Sequence, residues 1–216
     1  MDLIEQLKHM EKAYKEENFP ESSTFELIKG ELPVILSSPH SVTHFREGKL
    51  KQGEFMTGAI VKVLQKKLNC FAITKTKNDF SDPNYDDIHP YKEAVKEIVT
   101  EHHLRFLMDL HIMSSKRPNA IEIGTGVGKN VFHNTKYEGI IKESFESKSI
   151  APVIIDELFT GGFKNTVCSD VSKSVGIPCI QIEINWRLLD LATENHQVQK
   201  VLDSLTTSIM KILKEQ

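Results

Sequence analysis

The sequence lacks long apolar runs and any segment resembling an export signal. No run approaches the roughly 18 apolar residues that a membrane-spanning helix requires. Residues Met1–Gln6 have neither the basic nor the apolar region of a signal peptide. We therefore expect a cytoplasmic protein that does not act at a membrane.

Cysteine is also scarce. The three cysteines, Cys70, Cys168 and Cys179, are odd in number and widely spaced, so they fit neither a disulfide framework nor a zinc finger. Cys70 and Cys179 lie within apolar runs, as is typical of buried thiols, whereas Cys168 is a weak candidate nucleophile. A metal site in this chain would therefore use histidines and carboxylates.

Three functional classes lack their usual signals. The net charge is −3, and no basic stripe with interleaved aromatic residues occurs, which argues against nucleic-acid binding. No Gly-x-Ser-x-Gly elbow is present, which disfavours a serine hydrolase. The segment Gly124-Thr125-Gly126-Val127-Gly128 lacks the complete glycine fingerprint of a dinucleotide-binding loop, and we interpret it as a loop at the rim of a site.

Strands and helices are predicted to alternate along the chain. This order predicts a three-layer α/β/α sandwich with a mostly parallel mixed central sheet, of the phosphorylase/hydrolase-like kind, formed by one metallohydrolase-like domain over residues 1–216. The predicted helices are 3–17, 53–68, 88–102, 134–147, 168–174 and 194–214, and the predicted strands are 33–38, 70–75, 105–110, 119–124, 151–155 and 178–184.

Three of the predicted strands end near a residue that can bind a metal or carry a proton: His40, His111 and Glu183. In open α/β sheets, ligands bind beyond the carboxyl ends of the strands. Glu183 lies among isoleucines, where a carboxylate is costly to bury without a partner. We therefore expect these three side chains to share one site.

Two further acids are candidates for the same site. Asp109 lies two residues before His111, so both side chains point to the same face of the strand, and Asp109 can orient the imidazole. Glu54 begins the helix after the first strand's loop, and it is either a metal ligand or an acid favoured by the helix dipole. His44 follows His40 by four residues, but this spacing has no geometric meaning in a loop, and we do not expect His44 to take part.

Several short segments, each weak alone, occur in order between Val34 and Asp190. They are Ser38-Pro39-His40-Ser41, Glu54 with Thr57-Gly58, Asp82-Pro83-Asn84-Tyr85-Asp86, Asp109-Leu110-His111, Ile123-Gly124-Thr125, Gly161-Gly162-Phe163 and Gln181-Ile182-Glu183-Ile184-Asn185. Together they resemble the N-formylglutamate amidohydrolase family, whose fold is related to the zinc carboxypeptidases and aspartoacylases. The resemblance implies one zinc ion per chain held by His40, Glu54 and His111, with Glu183 as general base and acid.

Substrate binding is where the sequence departs from these relatives. Related enzymes often bind a substrate carboxylate through an arginine that follows an asparagine, but Asn84 is followed here by Tyr85. Arg46 and Arg117 are candidate replacements from other loops, because a guanidinium matches a carboxylate with two hydrogen bonds. The expected substrate-binding residues are Arg46, Asn84, Tyr85, Arg117 and Asn185.

The sequence thus predicts a zinc-dependent amidohydrolase that cleaves the C–N bond of a small N-acyl amino acid, N-formyl included, or of a short peptide. Two alternatives stay open. One is a zinc peptidase or cell-wall amidase that acts on a larger substrate, which an extended groove would favour. The other is a non-catalytic metal-binding protein with the same fold.

Overall fold

The computed structural model describes residues 1–20, 22–194 and 196–215. Its helices are α1 (Leu3–Lys15), α2 (Phe55–Leu68), α3 (Pro90–Glu101), α4 (Lys136–Glu146), α5 (Val167–Val175) and α6 (Val198–Lys214). Its strands are β1 (Phe25–Ile28), β2 (Leu32–Ser38), β3 (His44–Arg46), β4 (Lys49–Lys51), β5 (Cys70–Lys75), β6 (Phe106–Met113), β7 (Ile121–Gly124), β8 (Val153–Ile155) and β9 (Cys179–Asn185). In the described part of the chain, no helix is both long and apolar enough to cross a membrane.

Seven strands form one mixed sheet in the order β1-β5-β2-β6-β9-β7-β8. The pairs β1–β5 and β7–β9 are antiparallel, and the other four pairs are parallel. Helices α1, α2, α4 and α6 pack on one face, and α3 and α5 pack on the other. The predicted three-layer α/β/α sandwich with a mostly parallel mixed sheet is confirmed.

Alternation along the central strands separates apolar from polar side chains. On β6, Met108 and Leu110 belong to the core beneath α2 and α6, whereas Leu107 belongs to the core beneath α3 and α5. Because side chains alternate along a strand, Asp109 and His111 lie on the face of Leu107. Helices α3 and α5, of 12 and nine residues, cover only part of this face. The part that they leave uncovered carries the polar groups at the carboxyl ends of β6 and β9.

Two features of the fold were not predicted from the sequence. Strand β1 pairs with β5 at one edge of the sheet, and β3 and β4 form a separate hairpin. The hairpin turns at Glu47 and Gly48, both with positive φ of 52° and 70°, as a tight two-residue turn requires. Residues Lys49–Lys51 are all exposed, so the hairpin has no buried alternation from which to predict it.

Candidate metal centre

Two imidazole rings and one carboxylate meet beyond the carboxyl end of β2 and beside the end of β6. Nδ1 of His40 lies 3.2 Å from Oε1 of Glu54, and Nδ1 of His111 lies 3.2 Å from Oε2 of the same carboxylate. One ligand atom from each of the three residues lies within 4.8 Å of the others. Two histidines and one glutamate form a donor set that catalytic zinc sites use. The structure thus brings together the three side chains predicted as ligands.

The outer nitrogen of each ring is held by a buried aspartate. Nε2 of His40 lies 2.8 Å from Oδ1 of Asp82, and Nε2 of His111 lies 3.1 Å from Oδ2 of Asp109. Each aspartate can accept the Nε2–H of a neutral imidazole, which leaves the Nδ1 lone pair directed at Glu54. Such carboxylate partners fix the ring and the tautomer of metal-binding histidines. The sequence indicated Asp109 for this position but not Asp82.

Glu54 connects the two histidine-bearing segments. It is the N-cap residue of α2, and its backbone N–H donates to the His40 carbonyl at 2.7 Å. Its Oε2 accepts a hydrogen bond from the Ile112 backbone N–H at 2.9 Å. The carboxylate is therefore fixed between β2 and β6 by backbone contacts as well as by the two rings.

The electrostatics of this cluster favour positive charge. Burial alone would lower the pKa of His40, but Glu54 and Asp82 raise it; for His111, Glu54 and Asp109 outweigh burial and raise the pKa well above its ordinary value. Burial alone would raise the pKa of Glu54, but the two histidines hold it well below its usual range. Three carboxylates, those of Glu54, Asp82 and Asp109, thus surround the rings, and two protons or one divalent cation would offset two of their three negative charges. These residues fit a divalent cation.

A second group of possible ligands shares His40. It comprises His40, His44 and Asp82, and the His44 ring stacks on the His40 ring with centroids 4.0 Å apart. However, Arg46 places both Nε and a terminal guanidinium nitrogen 2.8 Å from Oδ2 of Asp82. A guanidinium on that oxygen opposes a metal ion, so the geometry favours the group containing Glu54. His44 nevertheless lies in the site, contrary to the expectation from its loop spacing, because β3 folds back over His40.

Glu183 lies on the strand next to His111 and points into the same cavity. It is opposite His111 on β6 and opposite Glu122 on β7. Its Oε1 accepts a hydrogen bond from Nε2 of Gln181 at 3.1 Å. Burial, reinforced by the nearby Glu54 and against the opposing effect of His111, raises the pKa of Glu183 to about 8. A carboxylate with this pKa can exchange a proton near neutral pH.

Three of the five expected substrate-binding residues line the cavity. They are Arg46, Asn84 and Tyr85. Oδ1 of Asn84 accepts a hydrogen bond from the Val167 backbone N–H at 2.8 Å, which orients its Nδ2 toward His111, 3.5 Å away. Arg46 stacks over the Tyr85 ring, with its guanidinium carbon 5.2 Å from the ring centroid. Tyr85 itself is exposed and donates to Glu47 at 2.7 Å.

The other two, Arg117 and Asn185, do not line the cavity. Nδ2 of Asn185 donates to the carbonyls of Arg117 and Asn119, at 3.1 and 2.8 Å. Its Oδ1 accepts from the backbone N–H of Arg187. The Arg117 guanidinium lies over the ring of Phe159, 5.5 Å from its centroid. Asn185 therefore holds the loop after β6 in place. These positions do not favour substrate binding by Asn185 or by Arg117.

Comparisons with known proteins bear on the fold. No protein-family model matches the sequence, and no curated protein matches it in a sequence comparison. A bacteriophage poly-gamma-glutamate hydrolase superposes with a TM-score of 0.59 at 13% identity, covering 93% of this chain and 95% of that one. N-formylglutamate amidohydrolase from Ralstonia eutropha JMP134 superposes with a TM-score of 0.57 at 14% identity, covering 87% of this chain and 96% of that one.

A metallo-carboxypeptidase from Pseudomonas aeruginosa is also similar, with a TM-score of 0.52 at 13% identity over 99% of this chain and 67% of that one. The chain shares the fold of these hydrolases. The predicted resemblance to the N-formylglutamate amidohydrolases is thereby confirmed for the fold, with which the sequence motifs agree.

Proposed function

We propose that this protein is a metal-dependent amidohydrolase that binds one zinc ion through His40, Glu54 and His111. The observation that carries the proposal is the orientation of the two rings. Both present Nδ1 to the Glu54 carboxylate while a buried aspartate holds Nε2. A cluster that served only to stabilise the fold would not need to present the Nδ1 atoms of both rings to one carboxylate.

The proposed substrate is an amide of an N-acylated amino acid or peptide. The superposed structures support this, because their names denote a poly-gamma-glutamate hydrolase, an amidohydrolase and a carboxypeptidase. When bound, zinc supplies a Lewis acid that polarises a carbonyl group and lowers the pKa of a water molecule to roughly 7.

We infer the roles of the protein side chains from their positions. Glu183 takes a proton from the attacking water as the water oxygen bonds to the amide carbon. Asn84 lines the same cavity, and in this proposal its Nδ2 donates a hydrogen bond to the carbonyl oxygen as negative charge develops there. Glu183 then delivers the proton to the leaving nitrogen as the C–N bond breaks, which yields a carboxylic acid and an amine.

Metal content and hydrolysis together test this proposal. We expect wild-type protein to bind about one zinc ion per chain, as sites of this donor set do, and expect His40→Ala and His111→Ala each to lose it. His9→Ala is the matched control, because His9 is an exposed residue of α1. Hydrolysis is then measured on N-formyl and N-acetyl amino acids and on blocked peptides.

Two results would contradict the proposal. Wild-type protein that takes up no zinc, when prepared without chelator, would exclude the metal site. Stoichiometric zinc binding with no hydrolysis of any of these amides would indicate a non-catalytic metal-binding protein.

A further inference from the structure

Two cavities meet at the candidate metal centre. The larger, of about 1080 Å³, contains His40, His111 and Glu183. The smaller, of about 420 Å³, lies between α1, α2 and the segments that follow β6 and β9. Both are lined by Gln52, Glu54 and Ile112, which form a ridge between them. Glu54 therefore borders both spaces.

The combined space exceeds what a single acylated amino acid needs. Pockets that enclose a drug-sized ligand have volumes of about 300–1,000 Å³. An N-formyl or N-acetyl amino acid is smaller than a drug-sized molecule, so the larger cavity alone would hold it with space to spare. The second cavity would then have no role in binding it.

The second cavity has a chemical character of its own. Phe55, Met113 and Trp186 supply apolar and aromatic surface, and Ser114 and Ser115 supply exposed hydroxyls. The two charged residues from α1, Glu11 and Lys15, form an ion pair with 2.8 Å between Oε1 and Nζ. Their charges compensate each other, and the carboxylate of Glu54 contacts His40 and His111, so the lining suits an uncharged group with some apolar surface.

We propose that the substrate is an oligomeric, peptide-like amide that crosses the ridge and occupies both cavities. This inference rests on the proposed function. The scissile amide lies in the larger cavity beside Glu183, and an uncharged residue of the same chain lies in the smaller one. The enzyme therefore cleaves within a chain. Contacts made far from the scissile bond then contribute to catalysis, since such binding energy can be used in the transition state.

The first test compares substrates of different length on zinc-loaded wild-type protein. The probes are a mixture of N-acetylated, C-amidated hexapeptides of varied sequence and the corresponding N-acetyl amino acids, with products identified by mass spectrometry. We expect internal cleavage of the hexapeptides with kcat/KM at least about tenfold above that for the N-acetyl amino acids. Equal or higher values for the N-acetyl amino acids would overturn this inference and leave the proposed function standing.

The second test fills the smaller cavity. Ser115 is exposed on its wall, so Ser115→Trp should block the cavity without disturbing the core. We expect kcat/KM for hexapeptides to fall by about tenfold, while zinc content and the value for N-acetyl amino acids stay within about twofold. Ser174→Trp is the matched control, because Ser174 is exposed on α5 and lines neither cavity.

The outcomes of the two tests are distinct. Unchanged hexapeptide cleavage in Ser115→Trp would overturn the role of the second cavity. Hydrolysis of no amide of either length by zinc-loaded wild-type protein would overturn the proposed function and, with it, this inference.

Discussion

At the scale of single residues, the partner of each outer ring nitrogen distinguishes a candidate metal ligand from an ordinary buried histidine. Asp109 is fully buried, and Oδ2 is the oxygen that faces His111, 3.1 Å from its Nε2. The other carboxylate oxygen, Oδ1, has no hydrogen-bond partner among the described residues. Asp109 thus has no role in holding other elements together that would compete with orienting the ring.

Asp109→Asn should therefore weaken zinc binding while the protein stays folded. The amide has the same shape but lacks the charge that favours a polarised Nε2–H, and losing such a partner typically costs about 10–100-fold in metal affinity. Competition with a chromophoric chelator measures the change. Asp203→Asn on α6 is the control, because that aspartate is partly exposed and pairs with Lys67. Unchanged affinity in Asp109→Asn would remove Asp109 from this role.

Glu183→Gln tests the proposed proton carrier. The glutamine keeps the volume and the polar contact with Gln181 but cannot accept a proton, so we expect zinc content to be retained and kcat to fall by about 10²–10⁴-fold. Normal turnover by this variant would exclude Glu183 as the base.

The pH dependence follows from the same group. Burial raises the pKa of Glu183 from 4.5 to about 8, and the base acts only when it is deprotonated, so kcat/KM should rise with pH across this interval. A divalent cation nearby favours the carboxylate and moves the rise toward lower pH within that window. The residual activity of Glu183→Gln should lack this limb, which a pH–rate profile on both proteins would reveal.

At the scale of elements, a buried lysine on α3 donates hydrogen bonds to two loops that border the site. Nζ of Lys92 donates to the carbonyls of Asp86, Asp87 and Asn165 at 2.7, 3.1 and 2.9 Å. The first loop carries Asp82 and Asn84, and the second contributes Asn165 and its neighbours to the cavity wall. The side chain is fully buried, so these three hydrogen bonds form away from solvent.

Lys92→Met should lower the free energy of unfolding by about 2–4 kcal/mol, because three carbonyls lose a charged donor in a buried position. Lys96→Met, one turn further along α3, removes an ion pair with Glu93 and Asp170 nearer the surface and should cost less than about 1 kcal/mol. Urea denaturation of the three proteins measures both values. Equal losses in the two variants would contradict the structural role of Lys92.

The elements that the sequence predicts well are those whose pattern is local. Strands β2, β6 and β9 are apolar runs that end in polar residues, and they place His40, His111 and Glu183 as expected. Strand β1 is short and pairs only with β5 of the folded sheet, and the strands of the separate β3–β4 hairpin are only three residues long, so none of them carries a local pattern that predicts it. His44 and Asp82 depend on that hairpin and on a loop fold, so no sequence spacing indicates that they contact His40.

Two polar residues on the same face of β9, Glu183 and Asn185, have different surroundings, and only the fold explains the difference. Asn185, one of the expected substrate-binding residues, follows Glu183 by two residues and lies on the same face of β9. In the structure the Arg117 and Asn119 carbonyls lie above that position and use its amide. Which polar group faces a cavity and which holds a loop depends on the chain that covers it.

At the scale of the whole molecule, the candidate site connects strands and helices that are distant in sequence. His40 follows β2, Glu54 begins α2, and His111 lies on β6, so a bound cation would link three elements of the sheet and its cover. The unfolded chain does not hold these groups together. Zinc should therefore bind the folded state preferentially and stabilise it.

The magnitude follows from linkage between binding and folding. A ligand present at 100 times its dissociation constant adds about 2.7 kcal/mol to the free energy of unfolding. For a chain of this size, each kcal/mol raises Tm by about 2–4 °C, so zinc at that ratio should raise Tm by roughly 5–10 °C. Scanning calorimetry with zinc and with excess chelator measures the shift. His111→Ala should unfold at the same temperature under both conditions, because it lacks one of the three ligands. A wild-type Tm that zinc leaves unchanged would show that the three residues do not form a metal site.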